Sequence, residues 1–198
     1  MSYFHRINNT YSMPSRYKQL EELVRINKPG VILEVGTCAG DRAIAMLQHS
    51  PRSHYIGFDL FEEATQETDK REFNVKRHHS MNAVAMRLKD YDVELIKGDT
   101  RKTLPEFVAN GPARVGLAFI DGGHSIETIH SDWKNVKKIM LSGGLVVFDD
   151  FYSNFPVERI NVVGCNRVLE TLGRPYRLLP IQDWVIGGGL VQIAVVEI

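Results

Sequence analysis

The chain has 198 residues, and its 24 lysines and arginines balance 24 aspartates and glutamates, so its formal charge is zero. One domain of that length can bury a proper core, and 43% hydrophobic with 24% charged residues excludes collagen-like, disordered and coiled-coil chains. The charge balance argues against coating of nucleic acid or an anionic membrane, since both need a broad basic field.

Along the chain, short apolar runs alternate with segments of helical period. In the leading segment 1–28, Tyr17, Leu20, Leu23 and Val24 predict a helix. Strand-like runs follow at Val31–Val35, Tyr55–Phe58, Val93–Ile96, Val115–Ile120 and Leu145–Phe148. Each is continuously apolar, which predicts strands buried on both faces. A helix over Arg42–His49 follows the first run. Between the second and third lies an extended crossover, 66–90, whose basic stretch Lys70–His79 reads as a solvated helix face, a lid or a grip for an anionic substrate. Ile126, Ile129, Trp133, Val136 and Met140 mark one helical face, stopped by Gly143-Gly144. A further helix is expected over Pro156–Leu172, with Ile160, Val163, Val168 and Leu169 inward and Cys165 buried and inert. Finally Tyr176–Ile186 and Leu190–Ile198 flank Gly187-Gly188-Gly189 with no room for a crossover helix, so they predict a hairpin. The pattern predicts a doubly wound α/β sheet of seven strands, mostly parallel, with an antiparallel last strand.

Three places along this pattern carry chemistry. The first strand leads into Glu34-Val35-Gly36-Thr37-Cys38-Ala39-Gly40, whose glycines allow a sharp turn and close approach of a ligand to helix-start amides. The spacing is GxxxG, not the GxGxxG of dinucleotide sites. The second strand ends in Asp59, 19 residues after Gly40, and the third in Gly98-Asp99-Thr100. Ligands of open α/β sheets bind beyond these carboxyl ends, where an acid can accept from ribose hydroxyls. The fourth strand ends in Asp121-Gly122-Gly123-His124 and the fifth in Asp149-Asp150. Carboxylates gathered at one rim repel each other and lose solvation, a cost that a hard divalent cation removes. As alternatives, Asp121 caps the following helix or binds a ligand amine, Asp149 or Asp150 caps a turn, and His124 bonds only to nearby backbone.

In order and spacing these motifs resemble the class I S-adenosylmethionine-dependent methyltransferases, a Rossmann-like fold, over nearly the whole chain from about Pro29. The resemblance implies that Glu34, Gly36, Thr37, Cys38 and Gly40 surround the methionine part of S-adenosylmethionine. By the same resemblance Asp59 binds the ribose, Asp99 and Thr100 border the adenine, and Asp121 completes the cofactor site. Cys38 stands where the commonest loop of that family has glycine. The strings IDGGHSIETIHSDW and GGLVVFDDF resemble metal-dependent O-methyltransferases of the catechol, caffeoyl-coenzyme A and macrocin types. That likeness implies magnesium or another divalent cation on Asp121, Asp149 and Asp150, with His124 and Asp121 as the catalytic pair. An imidazole titrating near neutrality suits a general base for a substrate hydroxyl.

The expectation is thus a single S-adenosylmethionine-dependent methyltransferase domain over residues 1–198, acting on a hydroxyl of a small molecule. A metal-independent methyltransferase and a non-catalytic cofactor-binding module are the competing readings. Tyr152–Phe155 is the candidate substrate-facing loop, and Tyr176 and Trp184 are candidates for contact with substrate or a partner subunit. Two cysteines are too few for a disulfide framework. No apolar stretch reaches the roughly 18 to 20 residues that span a bilayer, and the start lacks the apolar core of a secretory signal. The chain is therefore expected to be cytoplasmic, without nucleic-acid or membrane partners. A homodimer is an expectation of the resemblance alone.

Overall fold

In the computed structural model, which describes residues 15–74, 77–111, 114–185 and 189–198, the apolar runs pair into one sheet. The elements in chain order are α1 (Tyr17–Asn27), β1 (Val31–Val35), α2 (Asp41–His49), β2 (His54–Asp59), α3 (Gln66–Arg71), α4 (Met81–Arg87), β3 (Val93–Lys97), α5 (Thr100–Ala109), β4 (Val115–Ile120), α6 (Ile126–Val136), β5 (Met140–Ser153), α7 (Val157–Ile160), α8 (Asn166–Glu170), β6 (Arg177–Val185) and β7 (Gly189–Glu197). The seven strands lie in the order β3-β2-β1-β4-β5-β7-β6. Strands β1 to β5 run parallel, and β7 is antiparallel to both β5 and β6. This is the doubly wound sheet with a reversed last strand that the sequence predicts. Its order reverses between β1 and β4, which opens a crevice at their carboxyl ends.

Successive strand residues point to opposite faces, and here both faces are covered. On one, Ile32, Tyr55, Leu117, Phe119, Leu145 and Val147 pack with Leu20 and Val24 of α1 and Met46 and Leu47 of α2. On the other, Leu33, Val35, Phe58, Ala118, Val146 and Phe148 meet Leu104 of α5, Trp133 and Val136 of α6 and Val168 of α8. Two apolar faces per strand account for the unbroken apolar runs. Cys165 is buried among them, and burial pushes its thiol well up. Among the described residues no helix is long and apolar enough to cross a membrane.

Several expectations need correction. The strand β3 is at the sheet edge and only partly buried, so it is not covered on both faces. The helix expected to run to Met140 ends at Val136, and Met140 already belongs to β5, ahead of Gly143-Gly144. The helix expected over Pro156–Leu172 is two short helices. Gly164, at φ +86°, breaks it; the Gly164 N–H donates to the His124 carbonyl (2.9 Å) and the Cys165 N–H to the Asp150 carbonyl (3.1 Å). The break thus ties together the two loops that carry His124 and Asp150. The crossover holds the short helices α3 and α4, the first opened by a Thr65–Thr68 capping box. Residues 1–14, Val75, Lys76 and the Ile186-Gly187-Gly188 part of the expected hairpin turn lie outside the described residues.

One buried acid gives the fold a pH dependence. Asp132 on α6 is fully buried; burial pushes its carboxyl up to about 8, with the Thr100 hydroxyl pulling the other way. An unfolded Asp titrates at about 4, so between these values the folded protein holds a proton that the unfolded chain has lost. The stability linked to that proton is fully present below the lower value and is lost as pH rises through the upper one. Asp132→Asn should therefore gain stability over the natural chain between about pH 5 and 8, by up to about 1.4 kcal/mol per pH unit, and the gain should level off above. Thermal melts of both proteins across that range check this; a difference independent of pH would contradict it.

Candidate active site

The carboxyl ends of β1 to β4 frame an open cleft of about 790 Å³, counting the solvent in its mouth. Its walls are Gly36 and Cys38 after β1, Asp59 and Leu60 at the end of β2, Gly98 to Thr100, and Asp121 to Gly123 with Thr128. The crossover closes the remaining side through Arg71, Glu72, Arg77 and His78. The glycine loop lies directly on the end of β4. A Cβ on Gly36, at φ +95°, would fall 2.1 Å from the Asp121 carbonyl oxygen, so no other residue fits without displacing Asp121.

Gly36, Cys38, Asp59, Asp99, Thr100 and Asp121 therefore face one cleft, as the sequence expects of a cofactor site. Cys38 adopts the left-handed conformation (φ +52°) that glycine takes more easily, and its N–H donates to Asp59 Oδ2 at 2.7 Å. The other oxygen of Asp59 accepts the Phe61 N–H at 2.7 Å, so Asp59 fixes the loop while it faces the cleft. Asp99 caps α5 through the Arg101 N–H (3.0 Å) and pairs with the Arg101 guanidinium at 2.6 Å, which holds its carboxyl below the usual range. Glu34, Thr37 and Gly40, expected at the ligand, do not line the cleft. Glu34 and Thr37 lie behind its wall, both bonded to the Tyr55 hydroxyl; Gly40 starts α2 and packs toward Val84.

The acidic rim divides according to strand pleating. Glu34, Asp121 and Asp149 each continue the α1/α2 face, two residues beyond Ile32, Phe119 and Val147. There two arginines meet them. Arg42 of α2 pairs with Asp121 at 2.7 Å and lies 3.6 Å from Glu34. Arg16, just ahead of α1, grips Asp149 with Nε and Nη2, both at 2.7 Å. The Tyr17 hydroxyl donates to Asp149 at 2.5 Å, and its ring is sandwiched by the guanidiniums of Arg16 (4.4 Å) and Arg42 (4.8 Å). Burial alone would raise the Asp149 carboxyl, but the Arg16 charge and hydrogen bonds hold it far below the usual range. Burial pushes Glu34 up to about 7, despite Arg42. Asp149 is thus paired with Arg16 and Tyr17, and the residues whose ligand atoms gather with those of Asp150 are Asp121 and His124.

Asp150 turns to the other face, where a bulge between Phe148 and Phe151 interrupts the pairing with β7. It sits at φ +60°, a strained conformation for a residue with a Cβ. Its Oδ2 is 3.2 Å from His124 Nε2. Burial, then the charge of Asp149, pushes its carboxyl up to about 6. Ligand atoms of Asp121, His124 and Asp150 lie within 4.8 Å of one another. Two carboxylate oxygens and an imidazole nitrogen at that spread fit a divalent cation with positions left open.

A methyltransferase-domain family matches residues 33–151, which takes in the glycine loop, Asp121 and both aspartates of β5. The chain belongs to this family. An uncharacterized protein of Acanthamoeba polyphaga mimivirus is 30% identical over 120 residues, 60% of this chain and 50% of that protein. The chain thus spans about half the length of that curated relative. Among solved structures, it resembles the O-methyltransferase TomG of Streptomyces achromogenes, of tomaymycin synthesis, in complex with S-adenosylmethionine (TM-score 0.68, 20% identity, covering 96% of this chain and 83% of TomG). It also resembles an O-methyltransferase of Bacillus cereus in complex with S-adenosylhomocysteine (TM-score 0.64, 17% identity, 94% and 82%). At these identities the likeness is one of fold.

Sequence reasoning missed Arg16, Arg42 and Glu72. Arg42 carried a signal: a cation in the first turn of a helix opposes the helix dipole and calls for a buried acid to offset it. Arg16 and Glu72 carried none beyond a basic residue before a helix and an acid inside a basic run. Removing one partner of a buried ion pair strands the other charge, at a cost of about 3–5 kcal/mol. Arg16→Met should therefore destabilise the fold by that order, and Asp149→Asn in the same chain should restore part of it. Denaturant unfolding of the double-mutant cycle measures the coupling; additive effects would refute the pairing.

Proposed function

We propose that this chain moves a methyl group from S-adenosylmethionine to a hydroxyl of a small molecule, with a divalent cation held by Asp121 and Asp150 and with His124 beside them as the proton acceptor. The observation that carries this reading is the juxtaposition of that ligand set with Asp121 as a shared wall of the cleft. When bound, the cofactor supplies an electrophilic methyl on a sulfonium, and the cation lowers the pKa of an acceptor hydroxyl. The chain's own residues supply position and a proton acceptor. Gly36, Cys38, Asp59, Asp99 and Thr100 line one end of the cleft for the nucleoside and amino-acid parts. The His124 Nδ1 atom lies 3.0 Å from the Glu72 carbonyl, which can only accept, so the proton of the neutral ring is on Nδ1. Nε2 is then the basic atom and faces Asp150. In this reading it takes the hydroxyl proton, and Asp150 stabilises the resulting imidazolium.

A metal-independent reading is favoured by the two arginines. Arg16 and Arg42 already offset charge on Asp149, Asp121 and Glu34, which leaves the His124–Asp150 pair to accept the hydroxyl proton as the base.

Calorimetry with S-adenosylhomocysteine, and methyl transfer to a panel of phenolic, sugar and nucleotide-sugar hydroxyls, test the proposal. His124→Ala should lower turnover by about 100-fold or more and leave S-adenosylhomocysteine binding within about twofold. EDTA should abolish turnover and magnesium restore it; turnover unaffected by EDTA would leave the metal-independent reading. No binding of S-adenosylhomocysteine would overturn both.

A further inference from the structure

The 66–74 part of the crossover is strapped to the active site by Glu72, while its 81–90 part is held separately by Arg87, which donates to the Ala39 carbonyl and pairs with Asp41. Glu72 is only 6% exposed, although its neighbours Arg71 and Phe73 face solvent. Its carboxylate accepts from the Ser125 hydroxyl (2.7 Å), the Ser125 N–H (3.3 Å), the Thr128 hydroxyl (2.9 Å) and Arg71 Nε (2.9 Å). Three of these donors belong to the start of α6, where a negative charge also complements the helix dipole. Its main-chain carbonyl accepts from the His124 N–H (3.4 Å) and lies 3.0 Å from His124 Nδ1. A Cβ on Gly123 would fall 2.5 Å from Glu72 Oε2, so glycine is what allows this docking. Among the described residues, the other side-chain contacts of this 66–74 part are internal to the crossover or looser: His78 pairs with Asp69 at 2.7 Å, and Arg71 reaches Asp99 only at 3.7 Å. Glu72 also forms part of the cleft wall.

From this geometry we infer that Glu72 is a positioning residue: docking the crossover over the cofactor cleft fixes His124 in the tautomer that leaves Nε2 toward Asp150. The inference rests on the proposed role of His124 and adds its control. The carbonyl of Glu72 cannot donate, so it favours the Nδ1–H form of the neutral ring, in competition with Asp150, whose ionised carboxylate draws the proton toward Nε2. The carboxylate on α6 holds that carbonyl in place. Enclosure of the cofactor and orientation of the base are then a single event, since one residue serves both. With the crossover undocked, the imidazole is free to exchange tautomers, and the cleft lacks one wall.

The test has two readouts. Long-range proton–nitrogen NMR of metal-free protein, at a pH where the ring is neutral, reports the His124 tautomer, assigned by its loss in His124→Ala. Calorimetry reports binding of S-adenosylhomocysteine. The natural chain should show the Nδ1–H form. In Glu72→Ala a mixture of tautomers should appear, and S-adenosylhomocysteine should bind about tenfold or more weakly, given four hydrogen bonds to a charged group lost. Glu72→Gln, which keeps length and an acceptor oxygen, should recover part of both effects. Gly123→Ala guards against simple misfolding, because it expels Glu72 without removing it and should reproduce both changes in a protein with a cooperative melt. An unchanged tautomer in Glu72→Ala and Gly123→Ala would overturn the inference, as would a changed tautomer with unaltered binding. If the natural chain fails to bind S-adenosylhomocysteine while the tautomer responds as expected, the proposed function falls and the positioning stands.

Discussion

Three buried carboxylates, on Glu34, Asp121 and Asp149, and a partly buried one on Asp150 meet at one rim of the sheet, and their mutual repulsion is the constraint that organises everything around them. Burial disfavours each charge, and proximity to the others adds to the penalty. Two guanidiniums answer it. Arg42 spans from α2 to Asp121 and Glu34, Arg16 closes on Asp149, and His124 meets Asp150. Guanidinium suits this because its planar fork is weakly hydrated and matches a carboxylate with two parallel bonds. Near Asp150 no guanidinium of the described residues closes in, and burial, then the charge of Asp149, raises the carboxyl there. A proton or a cation is what such a place attracts.

The same constraint explains why elements remote in sequence must meet. Arg16 reaches Asp149 on β5 and also Asp183 on β6, where Asp183 Oδ1 and Oδ2 accept the N–H groups of Ser15 and Arg16. The acid of the penultimate strand thus caps the first helix, satisfying donors that the helix itself cannot. The helix α1, the central strand β5 and the terminal hairpin are locked through one side chain. Backbone ties from the short helices do the same on the other face, where Gly164 and Cys165 bind the carbonyls of His124 and Asp150.

The fold was legible because burial on both faces leaves a strong trace: Val31–Val35 and Val115–Ile120 are strands with the bounds the apolar runs imply. What failed was local. Gly164 breaks the expected 156–172 helix because its N–H serves His124, a tertiary demand that helical period does not register. In the site, residue types were readable but their direction less so. Asp149 and Asp150 are adjacent in sequence, and adjacent strand residues point apart; counting in steps of two from Val147 and from Phe148 sends them to different faces. That step of arithmetic was available from sequence. The arginines were harder, since long side chains cross between elements and leave no period.

The division of the two aspartates bears on how the chemistry can be tuned. On the α1/α2 face Asp149 is saturated, with both oxygens held by a cation and a phenol at 2.5–2.7 Å, so it acts as a fixed anchor for the end of β5. Asp150, one residue on, occupies a strained backbone position in a bulge, with a carboxyl close to neutrality. Strain of this kind persists only where the surroundings over-determine it, and here the surroundings are the Asp149 anchor before it and the Cys165 hydrogen bond upon it. A rigid residue therefore holds a responsive one at the mouth of the site. Cations or protons exchanging at Asp150 and His124 do so beside Asp121, which Arg42 also holds, so the charge that stabilises the fold and the charge available for chemistry meet at the end of the neighbouring strand.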